Sequence, residues 1–142
     1  YQKSYRLPKG PVTLCIRVNM PHGHPAGWAP IEIGIFADAV FKDGKPLTKI
    51  DEIKFNGSKV QAQYEPFDLK GTMSSLHYSV AEGPWQKRIW KSYGAVRGAV
   101  AGGVGISLME DELPKARPLV FYLTVTDDRG ALVSTPHVIL EK

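Results

Sequence analysis

The stretch "VFYLTVTDDRGALVST", Val120 to Thr135, decides how the rest of the chain is read. Two runs of β-branched, aromatic and aliphatic residues flank Asp127-Asp128-Arg129-Gly130, and such runs on either side of a Gly-containing turn predict a β-hairpin. Leu123 and Val125 alternate with Thr124 and Thr126, the period of two that sends one set to a core. Gly130 supplies the positive φ that a tight turn needs. The pattern extends from Leu119 to Leu140. Within it Pro136, lacking an amide hydrogen, predicts that the last strand is an edge or is bulged.

Working outward, Val12, Leu14, Ile16 and Val18 also alternate with polar or small residues and predict a strand. "MPHGHPAGWAP" (20–30), with three prolines and two glycines, predicts a loop. Ile31, Ile33, Ile35, Ala37, Ala39 and Phe41 share a face at period two, which predicts a long strand. Asn56-Gly57 lies between Ile53/Phe55 and Val60/Ala62 and predicts a tight hairpin over 50–64. Leu76, Tyr78 and Val80 supply another alternation. The period then changes. Pro84 suits a first helical turn, and Trp85, Ile89, Tyr93 and Val96 recur at three-to-four spacing, predicting a helix over 84–97 that Gly98, Gly102, Gly103 and Gly105 end. Ile106 and Leu108 restart a short strand. The sum is a single, mainly β domain over 1–142: an immunoglobulin-like β-sandwich of about seven strands with one inserted helix near residues 84–97.

"LTVTDDRG" (Leu123 to Gly130) resembles the end of PKD-type and related bacterial immunoglobulin-like domains, where a strand of the form L-T-V-x-D-x-x-G runs into the last strand. The resemblance covers the final hairpin alone. Leu119 stands where that family carries a Tyr, and its W-x-F-G-D-G signature has no counterpart. The resemblance implies an immunoglobulin-like sandwich and no particular activity, because sandwiches host unrelated functions.

A chain of 142 residues, 43% apolar and 23% charged, buries a core without disulfides. Its net charge of +4 suits an acidic partner or an anionic surface, yet lacks the dense basic patch of a nucleic-acid binder. Cys15 is the single cysteine, so an intrachain disulfide and a Cys-based zinc site are excluded. The most apolar stretch, Tyr93 to Met109, carries Arg97 and five glycines, too short and soft for a membrane span. Peripheral membrane contact stays open. A first residue that is Tyr rather than Met leads us to expect a processed form, with any signal peptide removed and a periplasmic or extracellular location. A cytoplasmic location is the alternative.

Two stretches carry candidate chemistry. Met20, His22 and His24 place a thioether and two imidazoles in one loop, a donor set suited to a copper-like ion. Two histidines leave a coordination sphere unfilled, so the expectation is incidental histidines and no bound metal. A metal carrier is the alternative reading. The second stretch, "PWQKRIWKSYGAVR", sets Trp85, Trp90 and Tyr93 beside Lys87, Arg88, Lys91 and Arg97. As a helix it either covers the sandwich with soluble lysines outward, or docks on an acidic protein through Trp and Arg, which dominate interface energetics. Catalytic and cofactor motifs such as G-x-S-x-G, H-E-x-x-H or a P-loop are absent. The expected function is a non-enzymatic binding or inhibitor module of the cell envelope or secreted space. It has no cofactor, and its contact residues are Trp85, Lys87, Arg88, Trp90, Lys91, Tyr93 and Arg97.

Overall fold

In the computed structural model, which describes residues 5–10, 12–56, 58–65, 72–80, 83–95, 97–100 and 103–141, the chain is mainly β and forms two antiparallel sheets. One sheet has the order β1 (Lys54–Asn56), β2 (Lys59–Tyr64), β6 (Gly103–Met109), β5 (Arg97–Val100). The other runs β4 (Lys91–Gly94), β3 (Met73–Ser79), β7 (Leu119–Thr126), with β8 (Leu132–Ser134) and β9 (Val138–Leu140) both on the far side of β7. Val60, Ala62, Tyr64, Ile106 and Leu108 of the first sheet meet Leu76, Leu119, Phe121, Leu123, Val125 and Val133 of the second in one buried cluster. That is sandwich packing, driven by apolar area removed from water.

The closing hairpin forms as the sequence predicts. Leu123 and Val125 are fully buried, Gly130 takes φ 81°, and the Asp127 carboxylate organises the turn. Its Oδ1 accepts the Arg129 and Ala131 amides at 3.0 Å, and its Oδ2 takes the Arg129 guanidinium. Arg129 then reaches the carbonyls of Lys45 and Pro46 at 2.9 Å and ties a remote segment to the turn. Pro136 falls where the last strand breaks into β8 and β9. At the break Thr135 bridges to the middle of β7 instead: its amide donates to Leu123 O and its Oγ1 accepts the Leu123 amide. The β1–β2 hairpin also forms, with Asn56 paired to Lys59.

Two elements correct the sequence reading. Residues 31–41 form helix α2 (Ile31–Phe41), following a short helix α1 (His24–Trp28). The isoleucines that alternate on paper therefore do not share a buried face, and Ile31 and Ile33 are exposed. An apolar run fits both periods, and eleven residues favour a helix over a strand. The helix ends where Asp38 O accepts the amides of both Lys42 and Gly44. A Cβ on Gly44 would lie 2.9 Å from the Asp38 carbonyl carbon, so that close approach needs glycine.

Conversely, the described residues of 84–97 form no α-helix; Val96 lies outside them. That stretch holds a 3-10 turn (Trp85–Lys87), then β4 and the first residue of β5. Ile89, which a helix would turn inward, is 75% exposed. Gly94, aromatic residues and β-branched Ile89 disfavour helix, and pairing with β3 satisfies the backbone while Tyr93 packs on Tyr78 at 5.9 Å. The glycines expected to end the helix instead lie in β5 and β6, where Gly98 pairs with Gly105; Gly102 lies outside the described residues. Residues 12–18 form no ladder. They run beside β8, held by Ser134 N to Leu14 O at 2.8 Å and Ile16 N to Ser134 Oγ at 3.0 Å.

Candidate functional site

Strand β7 is buried on both faces. Leu119, Phe121, Leu123 and Val125 face the sandwich core, while Val120, Tyr122 and Thr124, pointing the other way, are also buried. What covers this outer face is a run of rings. The pairing of β3 with β7 puts His77 opposite Tyr122, and their rings stack at 4.9 Å. Trp90 meets Tyr122 at 5.4 Å, Trp85 meets Trp90 at 5.3 Å, Trp85 meets His137 at 4.7 Å, and Tyr5 meets His137 at 6.2 Å. Six rings thus form one continuous strip, in offset and edge-on contacts that each add roughly 0.5–1.5 kcal/mol beyond burial.

Polar contacts fix both ends of the strip. His77 Nδ1 and Nε2 engage Ser92 Oγ at 2.6 Å and Thr124 Oγ1 at 2.9 Å, and burial lowers its pKa. At the other end Tyr5 Oη and His137 Nδ1 lie 2.9 Å apart. Burial above all, with nearby positive charges that include Arg6 and Arg88, lowers the His137 pKa. Desolvation raises the phenol of Tyr122 well above its ordinary value.

Beside the strip lies a cleft of about 570 Å³, walled by Tyr5, Trp85, Trp90, Tyr122 and His137 on one side and by the 16–22 segment on the other. Both stretches singled out in the sequence converge on it: Trp85, Arg88 and Trp90 from one, Met20 and His22 from the other. Arg88 lies over the Trp85 ring at 5.0 Å and donates from Nε to Gly83 O at 3.2 Å. Its Nη1 is buried and has no hydrogen-bond partner among the described residues. Arg17 closes the far wall, paired to Glu32 at 2.5 Å.

The other residues of the expected contact set lie elsewhere. Lys87 is exposed on the 3-10 turn next to Arg88, whereas Lys91, exposed at the first position of β4, pairs with Tyr78 on the face away from the ring strip. Tyr93 belongs to the same face of β4 as Lys91, with its hydroxyl on Glu112 O at 3.0 Å. Arg97 opens β5 in the other sheet, paired through its backbone with Ile106, and its side chain lies outside the described residues. Sequence reasoning missed Tyr5, Tyr122 and His137. The signal for Tyr122 was its place between Phe121 and Leu123, which turns an aromatic ring away from the core.

His24 begins α1 and lines, with Met20, His22 and Trp28, a hollow that adjoins the cleft through Met20 and His22. Among the described residues, no group of three His, Cys, Asp or Glu side chains is placed to hold a metal ion. Nor is any helix among them long and apolar enough to cross a membrane. Cys15 is half-buried, and burial followed by the Glu32 carboxylate pushes its thiol up to about 11. No protein-family model, no curated protein and no solved structure matches this chain.

Proposed function

We propose that this chain is a non-enzymatic binding module. Its aromatic cleft receives a segment of a partner protein in which a carboxylate stands next to an apolar or aromatic side chain. The observation that carries this reading is the buried Nη1 of Arg88, which lacks an acceptor among the described residues while its guanidinium lies on Trp85. An unmet buried N–H costs about 1–3 kcal/mol, and an incoming carboxylate removes that cost with a charge-assisted bond. The neighbouring rings offer rigid apolar walls, and Trp, Tyr and Arg are the residue types on which interfaces concentrate their energy. Lys87, next to Arg88 on the 3-10 turn, speeds the approach of an acidic surface.

Selection from a random peptide library displayed on phage tests the reading directly. Enriched peptides should carry Asp or Glu beside Trp, Phe or Leu, and should lose affinity at least about tenfold for Arg88→Gln or Trp90→Ala. Enriched peptides without an acidic residue, or ones that bind both variants as tightly as the wild type, would defeat it.

A further inference from the structure

Helix α2 turns its apolar stripe away from the protein. Ile33, Phe36, Ala37, Val40 and Phe41 recur at i, i+3, i+4, i+7 and i+8, the spacing by which a helix normally faces a core. Here Glu32 and Ile35 face inward, while Ile33 is 44% exposed, Phe36 54%, Val40 56% and Phe41 82%. Trp28 of α1, 74% exposed, lines one hollow with Ile33 and so widens the patch. Side chains of this size at these exposures leave on the order of 700 Å² of apolar surface in water. That approaches the roughly 800 Å² per partner of a standard protein interface and exceeds what a lone soluble protein ordinarily displays.

We propose that this face is the contact of a symmetric dimer, with α2 of one copy lying antiparallel on α2 of a second copy. The stripe is self-complementary. An antiparallel pair centred on Ala37 sets Ala37 against its twin, Gly34 against Val40, and Ile33 against Phe41, so a small residue faces a large one next to the crossing point. Gly34 is open on the surface: a Cβ built there meets nothing within 4 Å, so the protomer itself gives it no packing partner. A two-fold contact needs only one such patch per chain. The border charges suit a protein neighbour better than an anionic lipid surface. Asp38 and Lys42 neutralise each other at 2.9 Å, and Asp43 adds a further negative charge rather than the basic fringe of an interfacial helix.

Sedimentation equilibrium over a series of concentrations reads the association. The wild type dimerises, and Phe36→Glu and Val40→Glu each raise the dissociation constant at least about tenfold. Far-UV circular dichroism stays unchanged, because both side chains already stand in solvent. Gly34→Leu separates fitted packing from general stickiness. It enlarges the apolar area, yet it fills the hollow opposite Val40 and therefore weakens the pair. Arg88→Gln, in the aromatic cleft, leaves the dimer intact, so failure of the cleft reading and failure of this one are distinguishable. A protein that stays monomeric throughout, or a Gly34→Leu variant that associates more tightly than the wild type, overturns the proposal. So does a monomer that partitions onto phosphatidylglycerol vesicles through Phe36 and Val40.

Discussion

Glu32 Oε1 holds two remote parts of the chain together. It receives the Arg17 guanidinium at 2.5 Å and the Leu132 amide at 2.6 Å, and so fixes α2 both to the 12–18 segment and to β8. The Glu32 side chain is nearly fully buried, whereas that of Arg17 reaches solvent. Loss of Glu32 therefore strands the half-buried Leu132 amide and costs more than loss of Arg17. Glu32→Ala should destabilise by about 2–3 kcal/mol and Arg17→Ala by about 1 kcal/mol or less. Urea unfolding of the two variants measures the difference, and equal costs would mean that the Leu132 contact contributes nothing.

The Asp127 turn makes a parallel case. Its carboxylate accepts two backbone amides as well as the Arg129 side chain, so Asp127→Ala should cost about 2–4 kcal/mol. Arg129→Ala removes the clamp on Lys45 and Pro46 but leaves the turn amides satisfied, and should cost about half as much. Differential scanning calorimetry ranks the pair.

Core and stripe should respond oppositely to truncation. Leu123→Ala and Val125→Ala each empty fully buried space and should cost about 2–4 kcal/mol. At concentrations that keep the protein monomeric, Val40→Ala should change stability by about 0.5 kcal/mol or less, because its side chain already meets water.

Acid should weaken the fold through two histidines. Burial lowers His77 and His137 below the ordinary imidazole value of 6.5. As pH falls below about 6.5 the unfolded chain takes up protons that the folded protein refuses, so it binds the larger number. The contribution of these groups is complete above that pH and is lost as pH drops towards the folded values. The melting temperature should therefore fall between pH 7.5 and pH 5. His77→Gln, which keeps an amide able to meet Ser92 and Thr124, should flatten that fall. An unaltered slope would locate the acid sensitivity elsewhere.

Protein prepared without a histidine tag should carry copper or zinc well below one ion per chain. His22 and His24 supply two imidazoles, while His77 spends both ring nitrogens on Ser92 and Thr124, and His137 engages Tyr5. Elemental analysis checks this. Stoichiometric metal that disappears in a His22→Ala, His24→Ala double variant would reverse the assignment.

How much of this is legible in the sequence depends on whether the decisive contacts are local. The β1–β2 and closing hairpins are readable because turn residues and strand period act within a few positions of each other. Helix α2 is not, since its apolar residues satisfy two periods and its anchor, Glu32, meets Leu132 a hundred positions away. At the cleft, Trp85, Arg88 and Trp90 declare themselves by residue type. Tyr122 and His137 join them only through the register of β3 on β7 and the break at Pro136, which no local pattern encodes.

The placement of the three tryptophans makes the protein its own optical probe. Trp85 and Trp90, with ring centroids 5.3 Å apart, are close enough for their excited states to couple, which gives a paired band in circular dichroism that belongs to the cleft alone. Protonated imidazole quenches indole emission, so His137, at 4.7 Å from Trp85, writes its titration into the fluorescence. Trp28 stands apart on the patch formed by α1 and α2, and emits at the red wavelengths of a hydrated indole until something covers it. Replacing Trp28 by Phe leaves a spectrum that reports the cleft, and subtracting it from the wild type leaves one that reports the helical face.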